Sequence, residues 1–306
     1  MKHRIIILLL TLFTYSQAST GGYVGSSYRY GSNARQIALS NSILANYNRG
    51  YNALTNPALL GSIKEIEYGF SYFDMSLDRY IQTFSITIPA PPMASIGLSA
   101  YILGTDNIIG ITDDLVSTGM YSAWEGYAML SFGTNMGSIS PGINIKILQS
   151  KIATYSADGI GIDIGFLYRF SSDFQLALMF ENIYAKYSWD INTSESNISY
   201  DEEFPQIISA GVSLTINPKI LFLYQTDGNQ IEFKNYIHKL GLEITQNKIN
   251  YRLGLNNKND VFNYSFGFGT NIYKTENNLN IGLDYAMDTA KFGEGNSHLF
   301  TLTFFR

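Results

Sequence analysis

The sequence contains no cysteine, which rules out a disulfide framework and any thiolate metal site. Histidine is nearly as scarce, at 3 residues, and two of these with no cysteine make no recognisable metal-ligand set. Charged residues form 15% of the chain, against the ~25% usual in soluble domains. The net charge of −5 offers nucleic acid no basic surface. Beyond the N-terminal stretch there is no apolar run approaching the ~20 residues of a transmembrane helix. A chain so poor in charge cannot cover its folded surface with it, so lipid or a large oligomeric interface must take the apolar remainder.

What is abundant is aromatic and small: Tyr 23, Phe 19 and Gly 27. The first residues read as an export signal. Lys2, His3 and Arg4 form a basic start, Ile5 to Phe13 a short apolar run, and Ser16, Gln17 and Ala18 a small-residue cut site. Residues 1–18 are therefore expected to be removed, and the lack of cysteine near the cut excludes a lipid anchor.

From Ile63 to Arg306 apolar and polar residues alternate in segments of roughly ten, the pattern of a membrane barrel whose wall meets lipid on one side and a lumen on the other. In Ile143, Asn144, Ile145, Lys146, Ile147 every second residue is isoleucine. Ile160, Ile162, Ile164 and Phe166 oppose Gly161, Asp163 and Gly165 in the same way. Strands are expected near 63–73, 78–88, 93–104, 121–132, 138–149, 159–170, 174–187, 205–216, 219–226, 232–245, 249–256, 260–273, 279–287 and 297–306. Short turns such as Ser171-Ser172-Asp173, Asn217-Pro218 and Asn247-Lys248 recur at every second connection, and longer loops fall near 105–120 and 188–204. An all-β, antiparallel transmembrane barrel of about fourteen strands fits this alternation. A soluble β-sandwich also alternates, but its solvated face would be richer in Lys and Glu. The last strand ends Phe300-Thr301-Leu302-Thr303-Phe304-Phe305-Arg306, which resembles the C-terminal signal read by outer-membrane assembly machinery.

Residues 19–62 show little alternation, are rich in Gly, Ser and Asn, and allow a short helix over 37–47. A barrel of this width leaks unless filled, and a polar segment before the first strand is placed to fold inside it as a hatch. The expected organisation is signal 1–18, hatch 19–62 and barrel 63–306.

Asn56-Pro57-Ala58-Leu59-Leu60 resembles the signature that follows the hatch in the PorV/PorQ family of outer-membrane proteins, distant relatives of the FadL long-chain fatty-acid channels. The resemblance continues through Gly142 to Arg169, Glu181-Asn182-Ile183, Phe204-Pro205, Leu240 to Glu243, Tyr251 to Gly254 and Leu283-Asp284-Tyr285. It departs in the hatch, where Ser40-Asn41-Ser42 and Asn46 to Arg49 replace a small-residue, acidic stretch. It implies a FadL-like barrel in the outer membrane and one of two roles. The first is a non-enzymatic accessory of a type IX secretion system, partnered by an export-channel protein and secreted cargo. The alternative is a channel for fatty acids or other hydrophobic small molecules. No cofactor is implied.

Charge on the lipid face of a barrel costs about 2–4 kcal/mol near the midplane. Lys146, Asp163, Arg169, Glu181, Glu243, Arg252 and Asp284 all fall on the face opposite the apolar residues, so they are expected to point inward. They either line a conduit or pair with one another and hold the hatch. If Asn247-Lys248 is a two-residue turn, Glu243 stands directly opposite Arg252 and the two form an ion pair. Tyr68, Phe70, Tyr72, Trp124, Phe132 and Trp189 suit aromatic girdles at the membrane surfaces. Asp106, Asp113 and Asp114 stand in an expected outer loop, as candidates to meet a cation, though such residues usually form turns. His238 and His298 are expected near strand ends, with no nucleophile or carboxylate placed beside them by spacing.

Overall fold

The computed structural model describes residues 24–114, 116–192, 197–229, 236–258, 261–274, 279–289 and 296–306; the expected signal peptide lies outside them. In chain order the strands are β1 Glu67–Met75, β2 Arg79–Ala90, β3 Ala94–Ile111, β4 Ser117–Thr134, β5 Ile139–Ile152, β6 Tyr155–Arg169, β7 Phe174–Asn192 and β8 Asn197–Glu203. There follow β9 Ile207–Asn217, β10 Ile220–Asn229, β11 Tyr236–Gln246, β12 Ile249–Lys258, β13 Val261–Lys274, β14 Asn280–Asp288 and β15 Ser297–Phe305.

Sequence neighbours pair antiparallel around the ring, which closes where β1 meets β15, with Glu67 opposite Phe305. β7 pairs with β9 through its first half and with β8 through its last, so β8 and β9 share one place in the wall. Fifteen strands thus make a closed barrel of fourteen. The chain segments match the periodicity because the solvent is inverted. On β5, Ile143, Ile145 and Ile147 are 37%, 46% and 61% exposed, while Asn144 and Lys146 between them are 1% and 7% exposed. A soluble sandwich would bury the isoleucines; a wall bathed in lipid turns them outward.

The structure departs from the sequence expectations at the rims. The stretches expected to be long loops, 105–120 and 188–204, are largely strand, since β3 runs to Ile111 and β7 to Asn192. Hydrogen-bonded pairing continues past the membrane edge, where neither face meets lipid and the alternation that marks a strand disappears. The first strand starts at Glu67 rather than Ile63, because a 3-10 turn over Pro57–Ser62 occupies the preceding chain. The expected helix over 37–47 is only α1, Ala34–Ala38, capped by the Asn33 side chain. Ser40 and Asn41 take positive φ (50° and 59°) directly after it, which a right-handed helix cannot continue through.

The segment from Val24 to Ser62 packs against the inward faces of strands around the ring. Ala34, Ile37 and Ala38 meet Phe73, Ile81 and Leu299. Leu44, Ala45, Ala58 and Leu59 meet Leu167, Ala177 and Met179. Much of the contact is to inward-facing glycine, where a Cβ would have no room. At Gly133 it would stand 2.7 Å from Leu60 Cβ, at Gly211 2.9 Å from Leu44 Cβ, and at Gly267 2.5 Å from Ala38 Cβ.

The inverted facing makes a direct prediction. Ile145→Lys sets a charge against lipid at a cost of about 2–4 kcal/mol and should abolish the heat-modifiable, fast-migrating form on a denaturing gel. Ile145→Leu should leave that form intact. Equal behaviour of the two would show that Ile145 does not face lipid.

Candidate functional site

Three groups of inward side chains occupy the lumen at different heights. The lowest is a charge network. The Asn247-Lys248 turn, with both φ positive (50° and 68°), puts Glu243 opposite Arg252 across β11 and β12. Arg252 Nε lies 2.6 Å from Glu243 Oε2, and its Nη1 lies 2.5 Å from Asp284 Oδ1 on β14. The sequence reading missed the fourth member. Arg35, on α1, approaches Glu243 Oε2 at 2.9 Å and also donates to the Tyr47 carbonyl and Asn46 Oδ1, each at 2.7 Å. Two cations and two anions close a neutral network that fixes α1 to the wall.

Arg169 and the Asn56-Pro57-Ala58 turn lie elsewhere. Arg169 donates to Ser140 Oγ at 2.7 Å and Ser62 Oγ at 2.6 Å. Asn56 Oδ1 accepts from the Ala58 N–H at 3.0 Å and caps the 3-10 turn, while its Nδ2 donates to the Leu44 carbonyl at 3.2 Å. Close by, Glu67 accepts from the Gly50 N–H at 2.7 Å and from the Tyr47 hydroxyl. Arg49 stacks 3.7 Å from the Phe305 ring centroid, and burial lowers its pKa.

The second group surrounds a defect in the wall. Asp163 on β6 faces three residues of β7, Glu181 to Ile183, where regular pairing allows one. Asn182 turns the bulge with φ 57°, and its N–H donates to Asp163 Oδ1 at 3.0 Å. Asp163 is fully buried and pairs with Lys146 Nζ at 2.7 Å. On the other side of β7 the wall strand is broken between β8 and β9 at Phe204-Pro205-Gln206, where Pro205 has no N–H to give a ladder. Side chains stitch the gap: Asn182 Nδ2 donates to the Pro205 carbonyl at 3.1 Å and Gln206 Nε2 to the Ile183 carbonyl at 2.9 Å. Among the described residues β8 pairs only with β7.

The third group is aromatic. Tyr28, from the N-terminal segment, stacks on Phe204 (6.1 Å, 1°) and contacts Tyr101 and Tyr127 edge-on. Its hydroxyl bonds that of Tyr187 at 2.6 Å and the Gly126 carbonyl at 3.0 Å, and burial pushes its pKa up. Trp189 belongs here, not to a girdle. It is 7% exposed, packs with Tyr187 and Phe204, and donates to Glu202 at 2.9 Å. Tyr68, Phe70, Tyr72 and Phe132 do face outward.

The second and third groups border one cavity of about 500 Å³, whose lining includes Tyr28, Tyr127, Met179, Glu181, Ile207 and Asp227. That size falls within the ~300–1,000 Å³ of small-molecule sites. The bulge lines it through Glu181 and Asn182, and the strand break adjoins it at Ile207. β9 and β10 run about ten residues from their turn to the break, roughly the length that spans a bilayer, so the break stands near the outer edge of the hydrocarbon layer. The remaining candidates gather nothing comparable. His238 and His298 bond Tyr224 and Tyr285 hydroxyls, each at 2.8 Å. Asp106 lies in β3 and Asp113 and Asp114 in the turn beyond it, and among the described residues no group of three or more His, Asp or Glu is arranged to hold a metal.

No family model and no curated protein matches this sequence. Solved structures do. The toluene transporter TbuX of Ralstonia pickettii superposes with TM-score 0.65 at 11% identity, over 90% of this chain and 98% of that one. The fold is FadL-like. The toluene transporter TodX of Pseudomonas putida gives TM-score 0.61 at 11% identity, over 95% and 98% of the two chains. A FadL homologue of Pseudomonas aeruginosa gives 0.61 at 10% identity, over 94% and 99%. The first two are toluene transporters and the third a FadL homologue, and at 11% identity or less the likeness is one of fold. The PorV/PorQ kinship and its secretion role find no counterpart among them.

The charge network predicts an order of stabilities. Arg252→Met leaves Asp284 without a cation and should cost about 3–5 kcal/mol in urea unfolding of the vesicle-inserted barrel. Asp284→Asn leaves Arg252 still paired with Glu243 and should cost clearly less. Equal losses would mean that Arg252 does not bridge the two carboxylates.

Proposed function

We propose that this chain is an outer-membrane channel for hydrophobic small molecules, with Val24–Ser62 as its hatch. The observation that carries the reading is the cavity's position, above a packed segment and beside a break in the wall. A molecule entering from outside finds the direct way down filled to the contact distance of glycine. The lateral way meets only Phe204, Pro205 and Gln206, held by two side-chain hydrogen bonds to β7. An apolar solute gains nothing by crossing to an aqueous compartment, and leaving sideways returns it to lipid at about 25 cal/mol per Å² of apolar surface. The likeness to toluene transporters and a FadL homologue supports this class of cargo; fatty acids and monoaromatic hydrocarbons are the first to test.

Uptake by cells producing the protein should exceed that of cells without it. Pro205→Val restores an N–H and lets β8 and β9 join as one paired strand, so uptake should fall several-fold while the barrel assembles normally. Uptake that does not depend on the protein would refute the channel. A form lacking residues 24–55 should open ion-conducting pores in planar bilayers where the intact chain does not. An equally silent truncated barrel, once shown to be inserted, would remove the hatch from the proposal.

A further inference from the structure

The chemistry of the cavity is not that of a site for plain hydrocarbon. Glu181 sits on the β7 bulge and lines the cavity, and the charged groups facing it are Asp163, Lys146, Asp227 and Lys239. Those four are already closed into two ion pairs. Lys146 lies 2.7 Å from Asp163, and Lys239 pairs with Asp227, whose Oδ1 also accepts from Gln225 Nε2 at 2.8 Å. Neither lysine reaches Glu181, which makes no hydrogen bond or ion pair among the described residues. The cluster therefore sets three carboxyl groups against two ammonium groups, and Glu181 is the one left without a partner.

A second acceptor stands unused on the same wall. Asn144 is 1% exposed and lines the cavity. Its Nδ2 is directed at Asp163 Oδ2 (3.3 Å) and the Ala53 carbonyl (3.4 Å), while its Oδ1 is buried without a donor. A buried acceptor left unpaired costs about 1–3 kcal/mol; the Asn144 oxygen is closed off from the cavity, while the Glu181 carboxyl lines it and is complementary to a group that brings donors.

We infer that Glu181 anchors a head-group subsite for amphiphiles bearing a protonated amine, with the apolar part of the molecule lying along Tyr28, Tyr127, Met179 and Ile207. An ammonium group carries three donors and a positive charge, which answers the unpaired Glu181 carboxyl. Aromatic faces beside it are also favourable to a cation. A carboxylate head would have to enter next to Glu181 and Asp163 with both nearby lysines already neutralised. A bare hydrocarbon would fill the apolar side and leave that carboxyl unpaired.

This inference rests on the channel reading, and the test separates the two. Purified protein in neutral detergent is titrated with decylamine, decanol and decanoate, following intrinsic tryptophan and tyrosine fluorescence, for the native chain and for Glu181→Gln. Decylamine should bind most tightly, and Glu181→Gln should weaken it about tenfold, the loss of one charge-assisted hydrogen bond, without changing decanol. Heat-modifiable mobility confirms that the variant barrel is folded. Equal affinity for all three heads, tighter decanoate, or no effect of Glu181→Gln on the amine would overturn the subsite and leave the hydrophobic channel standing. Binding of none of the three, together with protein-independent hydrocarbon uptake, would overturn both.

Discussion

The inner wall of this barrel and the segment that precedes it meet backbone to backbone. Inward positions on a strand normally carry side chains that fill a narrow barrel or line a wide one. Here many are glycine, placed where Leu44, Leu60, Ala38 or the Asn-Pro turn presses on the sheet. A chain so close to the wall expels water from the lower lumen, and hydrogen-bonding groups there must find protein partners. The Arg35, Glu243, Arg252 and Asp284 network is the consequence. It contributes registry more than stability, since buried ion pairs roughly cancel their own desolvation. α1 has one position against β11 to β14, and the cavity above inherits a fixed floor.

The upper lumen obeys a different constraint. Around Val24 and Tyr28 packing is taken over by rings, and Tyr28 links β3, β4 and β7 to the Phe204 side of the break. Phe204 is held inward by stacking, and its backbone N–H donates to the Ala185 carbonyl of β7 at 3.0 Å. Stacked aromatic pairs contribute about 0.5–1.5 kcal/mol beyond their burial, an amount an apolar ligand can replace with its own contacts. The wall is thus weakest at the break, the place where the proposed channel would exchange its cargo with lipid.

The barrel was legible in the sequence because lipid reverses the usual pattern, and Ile143, Ile145 and Ile147 could be assigned outward without any structure. The same pattern hid the defect. The β7 bulge opposes three residues to one, so Met179, Glu181, Ala185 and Tyr187 keep the same parity on either side of it and alternation, interrupted only at Ile183 and Tyr184, resumes in phase. Trp189 was misassigned to a girdle because the expected strand ended at residue 187, although its parity already matched Tyr187. Arg35 left a fainter trace, a lone cation in a run of Ala and Ile. The glycines facing inward on successive strands were the readable sign of close approach, since glycine weakens a strand and needs a reason to stand there.

Bulge and break belong together. A strand interrupted at Phe204-Pro205-Gln206 cannot supply β7 with its full set of partners, and without the bulge β7 would present unpaired groups to lipid, where each costs several kcal/mol. The bulge turns Asn182 so that its side chain answers the Pro205 carbonyl and its N–H finds Asp163. Asp163 in turn needs Lys146 to be held there as an anion in a buried place. Glu181 is carried inward by the same turn, and the lysine that could have met it is already engaged. The unpaired carboxylate in the cavity is thus tied to the geometry that opens the wall, and the residues that would bind a head group are set by the residues that would let its tail leave.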